Sequence, residues 1–421
     1  MEVFTRINGV LSALLCLSFA YQIIYLLAAL LVRERPLPQA APRRYAALVC
    51  ARNEEAVIGN LIDSLRAQRY PSSLLDVYVC ADNCTDGTAA CARAHGAAVV
   101  ERFDTARVGK GYAIDHLLGW LRRTGAFSRY AGFFFFDADN LLHEDFVDQM
   151  NRTFSAGCRV VTSYRNSKNY GDNWITAGYS LWFLRDAQYM NRPRMLLGAS
   201  SVVGGTGFLV AREVLEQLGG WPFHTLTEDT EFTADCVLRG ERIGYCSRAV
   251  FYDEQPVRFA QSWRQRMRWA RGFLQVLGRY GGRLLGGMLR GGRRGYACFD
   301  LLMSILPAIV LTLACALVSL AGALYGGLVL HAPVWPTLGA QLAGWFAGMY
   351  GTLLLAGALT LLTEWKRIYC PAVKKLLYLF TFPLFMMTYL PVSLAALFCR
   401  VEWKPIRHSV NKTLEQLRRA A

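Results

Sequence analysis

The chain has 421 residues, of which 53% are apolar and 18% charged, against roughly a quarter charged in an ordinary soluble domain. Disorder and a small disulfide scaffold are excluded, and the length allows two or three domains. The net charge of +15 suits nucleic acid, an anionic membrane face or a phosphorylated substrate, so its placement decides. Uncharged stretches at 7–32, 301–363 and 376–399 are each long enough to cross a bilayer, which takes ~20 apolar residues. Arg33, Arg35, Arg43 and Arg44 follow the first stretch, and the arginines from Arg264 to Arg294 precede the second. This positive-inside pattern puts the polar middle in the cytoplasm, and basic residues that track a bilayer edge argue against a nucleic-acid partner.

Residues 1–32 start with little positive charge and carry no small-residue cleavage site, so they read as one uncleaved membrane helix with its N-terminus outside. From 45 to 255, short β-branched or aromatic runs alternate with amphipathic helical runs, as βα units do. Expected strands are Tyr45–Cys50, Asp76–Ala81, Ala97–Phe103, Gly132–Phe136, Arg159–Ser163 and Gly207–Ala211. The run Phe133 to Phe136 is continuously apolar, as in a strand covered on both faces. A mostly parallel sheet binds its ligand at the carboxyl ends of its strands. Arg52, Asn53 and Glu54 stand at the first such end, Asp82 and Asn83 at the second, Asp137 and Asp139 at the fourth.

Residues 256–297 read as amphipathic interfacial helices, with Trp263, Met267 and Phe273 among many arginines. Residues 298–400 hold about three membrane helices, two of them joined by a turn at His331–Pro336, and 401–421 form a basic tail. One span before the polar region and three after it place that tail outside. Arg400, Lys404, Arg407, Lys412, Arg418 and Arg419 argue for the inside, so either the last segment, broken by Pro383 and Pro391, is partly re-entrant or the charge rule fails here.

Several residues carry candidate chemistry. Asp137-Ala-Asp139 sets two carboxylates at the mouth of a buried strand, where they and substrate phosphates would bind Mg²⁺ or Mn²⁺; the plain alternative is a solvated turn. Thr227-Glu228-Asp229 opens a helix running to Arg239, with Thr227 as its N-cap in the bland reading and a carboxylate placed as general base in the other. Arg268 in Gln265-Arg-Met-Arg-Trp269 would neutralise a diphosphate leaving group, while Trp269 offers a flat face to a sugar ring. Lys110 lacks P-loop spacing but starts a helix, where a phosphate would meet it. In Gly204-Gly205-Thr206-Gly207, either a backbone lets an acceptor approach or a plain turn forms. The aromatic stretches Tyr164–Tyr170 and Trp174–Tyr189 are candidates for sugar contact. The 12 cysteines are scattered, and Cys80, Cys84 and Cys91 read as reduced buried thiols rather than metal ligands. No His/Cys zinc spacing and no Gly-x-Ser-x-Gly is present, which weakens hydrolase readings.

Taken in order, Cys50-Ala-Arg-Asn-Glu-Glu55, Cys80-Ala-Asp-Asn-Cys-Thr-Asp-Gly87, Asp137-Ala-Asp139, Thr227-Glu-Asp229 and Gln265-Arg-Met-Arg-Trp269 resemble the inverting family 2 glycosyltransferases. The likeness is to the membrane-integrated synthases of cellulose, chitin, hyaluronan and poly-N-acetylglucosamine. It implies an α/β GT-A nucleotide-diphospho-sugar transferase domain, a mostly parallel sheet with helices on both faces, plus α-helical transmembrane segments. By the resemblance, Asn53, Glu54 and Asp82 hold uracil and ribose with Lys110 nearby, Asp137 and Asp139 handle nucleotide and metal, Asp229 beside Glu228 is the base, and Gln265, Arg268 and Trp269 form the acceptor end. The second motif lacks the two adjacent acidic residues of many relatives, so only Asp82 is carried over.

The expected protein is a multi-pass integral membrane enzyme of the plasma membrane. It would extend a β-linked polysaccharide processively from a UDP-sugar, UDP-GlcNAc or UDP-Glc, with a homo-oligomer or accessory subunit compensating for a small membrane part. The alternatives are transfer of one sugar to a lipid acceptor, a polyprenyl phosphate or a diacylglycerol, and a catalytically inactive membrane scaffold. The intact acidic set speaks against the scaffold.

Overall fold

The computed structural model describes residues 2–331, 334–402, 408 and 410–419. Among these, strands β1 (Tyr45–Ala51), β2 (Leu75–Asp82), β3 (Ala98–Arg102), β4 (Gly132–Asp137), β5 (Leu141–Leu142), β6 (Val160–Ser167), β7 (Phe208–Ala211) and β8 (Ile243–Asp253) form one sheet. Its order is β3-β2-β1-β4-β7-β6-β8-β5. The half built from βα units is parallel, β1 pairing with both β2 and β4. Beyond it β7 runs antiparallel to β4 and to β6, while β6 and β8 are parallel, so the sheet is mixed.

The four phenylalanines of β4 divide by the pleat. Phe133 and Phe135 join Leu117, Leu118, Trp221 and Phe232 on one face, and Phe134 and Phe136 join Ile58, Ile62 and Phe146 on the other. Each is buried, and each contributes about 2 kcal/mol of burial free energy. The polar residue that follows is thereby delivered to the sheet edge. β8 was not among the expected strands. Its pairing with β6 slips between Ser163 and Tyr164, so residues 247–249 loop out and Ser247-Arg248 interrupts the apolar pattern.

The arginine-rich region forms a single helix, Phe259–Leu289, followed by the helix Gly292–Leu328. Among the described residues four segments are long and apolar enough to cross a membrane: Glu2–Leu31, Gly292–Leu328, Gln341–Arg367 and Ala372–Phe398. Asp300 ties three parts of the chain together. It accepts from Arg194 Nε at 2.7 Å and Nη2 at 2.9 Å, and from the hydroxyls of Tyr21 at 2.9 Å and Tyr25 at 2.8 Å.

The last apolar segment comprises the helices Ala372–Met387 and Tyr389–Phe398, with Thr388 between them. Near its start Lys374 donates to the Gly171 carbonyl at 2.8 Å, and Asn166 donates to the Arg367 carbonyl at 2.8 Å. Beyond its end, Leu417 is buried against Leu141 and Tyr252, and Arg418 makes two 3.0 Å bonds to Glu144. Both flanks therefore touch the sheet domain. Residues 332 and 333 of the expected His331–Pro336 turn, and Lys404 and Arg407 of the basic tail, lie outside the described residues.

Candidate active site

The parallel strands end along one edge. Asn53 (φ 58°) and Asn83 (φ 52°) adopt the left-handed conformation where β1 and β2 stop, a region asparagine tolerates better than most residues. Their side chains brace the neighbouring loops: Thr85 N donates to Asn53 Oδ1 at 2.8 Å, and Asp104 N to Asn83 Oδ1 at 2.9 Å. Glu54 is buried, its N–H donating to Thr88 Oγ1 at 2.8 Å and its carboxylate lying 2.9 and 3.0 Å from His408 Nδ1. Burial pushes the Glu54 carboxyl up, against the pull of His408. Burial also works against charge on His408, but Asp139, Glu54 and Glu254 raise it to about 10. Asp82 forms a buried ion pair with Arg102 at 2.5 Å, and Arg102 donates onward to the Arg107 carbonyl at 2.7 Å.

At the end of β4, Asp137 pairs with Lys110, whose Nζ also donates to the Gly205 carbonyl at 2.7 Å. Burial disfavours charge on Lys110, but Asp137 and Glu228 hold it above the usual lysine range. Gly205 has φ 83°, and a Cβ built there would lie 3.4 Å from Asp229 Oδ2. Lys110 thus joins the metal-side carboxylate to a loop whose other side faces Asp229. Thr206 in that loop is buried; its hydroxyl accepts from Asp137 N at 2.9 Å and bonds Asn140, which fixes the Asp137-Ala-Asp139 turn.

Glu228 and Asp229 are half-buried at the start of the helix Glu228–Arg239. Burial and then the neighbouring Asp229 push Glu228 up to about 7, and burial raises Asp229 despite the Thr230 N–H, Lys110 and Arg268. Thr227 does not cap this helix, and its hydroxyl is buried without a partner. It packs instead on Gly272 of the Phe259–Leu289 helix, where a Cβ would meet its Oγ1 at 2.5 Å. Glu231 secures the preceding loop, accepting from His224 N at 3.1 Å and Thr225 N at 3.0 Å.

That contact brings the Gln265–Trp269 motif alongside the carboxylates. Trp269 stands edge-on to Tyr179 at 5.8 Å and near Phe183 at 6.2 Å. Gln265 Oε1 and Arg268 Nε are buried without partners, polar atoms left for a ligand to satisfy. Arg266, which the sequence reading passed over, points the other way: it is fully buried and donates to Thr388 Oγ1 at 2.5 Å and the Phe385 carbonyl at 3.3 Å.

Asp139 is buried and accepts from Glu254 N at 2.8 Å. Burial works against its charge, yet His408, Lys168 and Arg165 hold its carboxyl below the usual range. Burial outweighs Arg165 at Asp253, whose carboxyl rises to about 6. Among the described residues no group of three or more His, Cys, Asp or Glu side chains could hold an ion by itself. Two carboxylates, with Asp137 40% exposed toward the cleft, make a sparse oxygen donor set that suits a Mg²⁺ or Mn²⁺ shared with substrate phosphates. Arg102, Arg165, Lys168 and His408 escaped the sequence reading. Arg102 closes a strand whose neighbour ends in Asp82, a usable signal; His408 follows an interval of more than 350 residues from Glu54 that no local pattern spans.

A model of the glycosyltransferase-like family 2 matches residues 42–272. A β-monoglucosyldiacylglycerol synthase of Synechocystis is 29% identical over 234 residues, which are 54% of this chain and 47% of that protein. A poly-β-1,6-N-acetyl-D-glucosamine synthase of Staphylococcus aureus is 32% identical over 88 residues, 21% of each chain. The chain spans about half the length of the diacylglycerol-type relatives it matches. The structure of the mannosyltransferase PcManGT from Pyrobaculum calidifontis, in complex with GDP-Man and Mn²⁺, covers 93% of this chain and 99% of its own. Its TM-score of 0.58 at 18% identity is a likeness of fold. The family match takes in more than half of the chain and every site residue from Asn53 to Trp269, so the chain belongs to the family 2 glycosyltransferases.

Proposed function

We propose that the chain transfers a sugar, with inversion, from a UDP-sugar to an acceptor hydroxyl at the cytoplasmic face of the membrane. The observation that carries this reading is the bridge of Lys110 from Asp137 to the Gly205 loop, with Asp229 across that loop. A diphosphate lies on the Lys110 side and the anomeric carbon between the two carboxylate groups. Asp229 accepts the proton of the acceptor hydroxyl, and the freed oxygen attacks the anomeric carbon from the face opposite the departing UDP. An α-linked donor then leaves a β-glycosidic bond. Lys110 and Arg268 supply positive charge toward the leaving diphosphate. Asp137 and Asp139 would hold a Mg²⁺ or Mn²⁺, which when bound would supply Lewis-acid neutralisation of the same phosphates. Asn53, Glu54 and Asp82 line the nucleoside end, and Trp269 with Gln265 the acceptor end.

Two acceptors have support. The Gln265-Arg-Met-Arg-Trp269 motif and the 88-residue match to a poly-N-acetylglucosamine synthase favour a growing β-linked polysaccharide, with UDP-GlcNAc or UDP-Glc as donor. The longer match to a diacylglycerol glycolipid synthase favours a lipid hydroxyl. The test is UDP release by the detergent-purified protein, with Mg²⁺ or Mn²⁺, across a panel of UDP-sugars. A high-molecular-weight, glycosidase-sensitive product establishes the polymer reading, and a small organic-extractable product the lipid reading. A folded protein that releases UDP from no donor overturns both.

A further inference from the structure

The segment after the last apolar helices is built onto the sheet's carboxyl edge. Val410 N donates to Glu254 Oε2 at 2.8 Å, just beyond β8, and Asn411 accepts from Asn60 Nδ2 at 2.6 Å, on the helix that follows β1. Farther on, Leu417 is buried against β5 and β8, and Arg418 grips Glu144 through two bonds of 3.0 Å. These anchors lie on three elements that frame the edge where an α/β sheet binds its ligand. Between them and the apolar helices, His408 turns inward with its side chain 18% exposed and spans both oxygens of Glu54. The carboxylate it meets is itself buried, and no other side-chain partner for it is seen among the described residues. Without the imidazole, Glu54 would be a buried anion left without its counter-charge, a costly arrangement that a carboxylate relieves by moving or taking up a proton.

We propose that His408, delivered by the docked segment from Val410 to Arg419, is a positioning residue of the nucleotide site that holds Glu54 in place for the nucleoside of a UDP-sugar. This rests on the donor reading above. Leu417 and Arg418 are held on β5, β8 and Glu144 rather than on the site carboxylates, so the segment stays docked while nucleotide comes and goes. His408 is then a fixed wall rather than a competitor for the site.

The test is equilibrium binding of UDP, with Mn²⁺, to the full chain in detergent by titration calorimetry, alongside donor kinetics. His408→Ala is expected to weaken UDP by about tenfold, the worth of one hydrogen bond to a charged group. The KM for donor should rise in step, while kcat stays near wild type. His408→Gln, which keeps a donor, should recover much of the loss. Arg418→Glu, far from the site, should reproduce it by undocking the segment. Unchanged UDP affinity in His408→Ala and Arg418→Glu overturns the assignment and leaves the donor reading standing. Tighter binding overturns it in favour of a tail that competes with nucleotide, and a wild-type chain that binds no UDP overturns both readings together.

Discussion

At the scale of single residues the site turns on how two adjacent carboxylates share protons. Asp229→Asn should lower kcat by on the order of 10²-fold or more, ~3 kcal/mol of transition-state stabilisation, with folding retained. UDP release by a folded variant checks this, and near-wild-type turnover would remove Asp229 from the role of base. Glu228 rises from 4.5 to about 7, so the pair gives up its last proton near neutrality. Activity should climb with pH through that region, and in Glu228→Gln the climb should move to lower pH because the neighbouring negative charge is gone. Stability has the opposite sign. A carboxyl whose pKa is raised on folding binds its proton more tightly in the native state, so its contribution is complete below 4.5 and lost as pH rises through about 7. Thermal melts across that interval should decline in the wild type and flatten in Glu228→Gln. Asp137 and Asp229 stand out in sequence at a strand end and a helix start, and Trp269 through the Gln-x-x-Arg-Trp pattern inside a helix. Arg102 and His408 are not, because their partners become neighbours only through the fold.

At the scale of elements, contacts between the catalytic domain and the apolar helices include a close glycine approach and the buried guanidinium of Arg266. Gly178, on the helix Trp174–Asp186, lies so close to the Phe385 ring that a Cβ would enter it. Gly178→Ala should therefore destabilise by about 1–3 kcal/mol through overpacking. Gly278→Ala, where nothing lies within 4 Å, should not, and melting temperatures in detergent compare the two. Removing Arg266 takes the charged donor from Thr388 Oγ1, while the Phe385 carbonyl keeps its bonds from Thr388 N and Oγ1. Arg266→Ala should cost on the order of 2–3 kcal/mol, whereas the exposed Arg264 should tolerate the same change. The parallel strands were readable from their apolar runs, each bounded by polar residues. β8 was hidden because its looped-out residues carry Ser247 and Arg248 through the middle of the strand.

At the scale of the whole molecule the chain's sidedness follows from where the tail rests. Counting apolar stretches puts the C-terminus outside, and counting arginines puts it inside. The contacts of Leu417 with Leu141 and Tyr252 side with the arginines, since two groups in contact share one side of a bilayer. A cysteine introduced at Thr413 should resist a membrane-impermeant maleimide in intact cells and react after permeabilisation. Labelling of Thr413→Cys in intact cells would mean that the last segment crosses. Hydropathy alone measures length and polarity, and it has no access to contacts such as that of Leu417 with the sheet.

The four-way junction at Asp300 has a consequence for how the protein is made. Synthesis delivers Tyr21 and Tyr25 first, Arg194 next and Asp300 last, so the acid emerges after its partners already exist. An acidic side chain near the start of an apolar helix is a poor passenger for the insertion machinery until a guanidinium receives it. Retention of the second membrane helix thereby becomes conditional on a correctly formed catalytic domain.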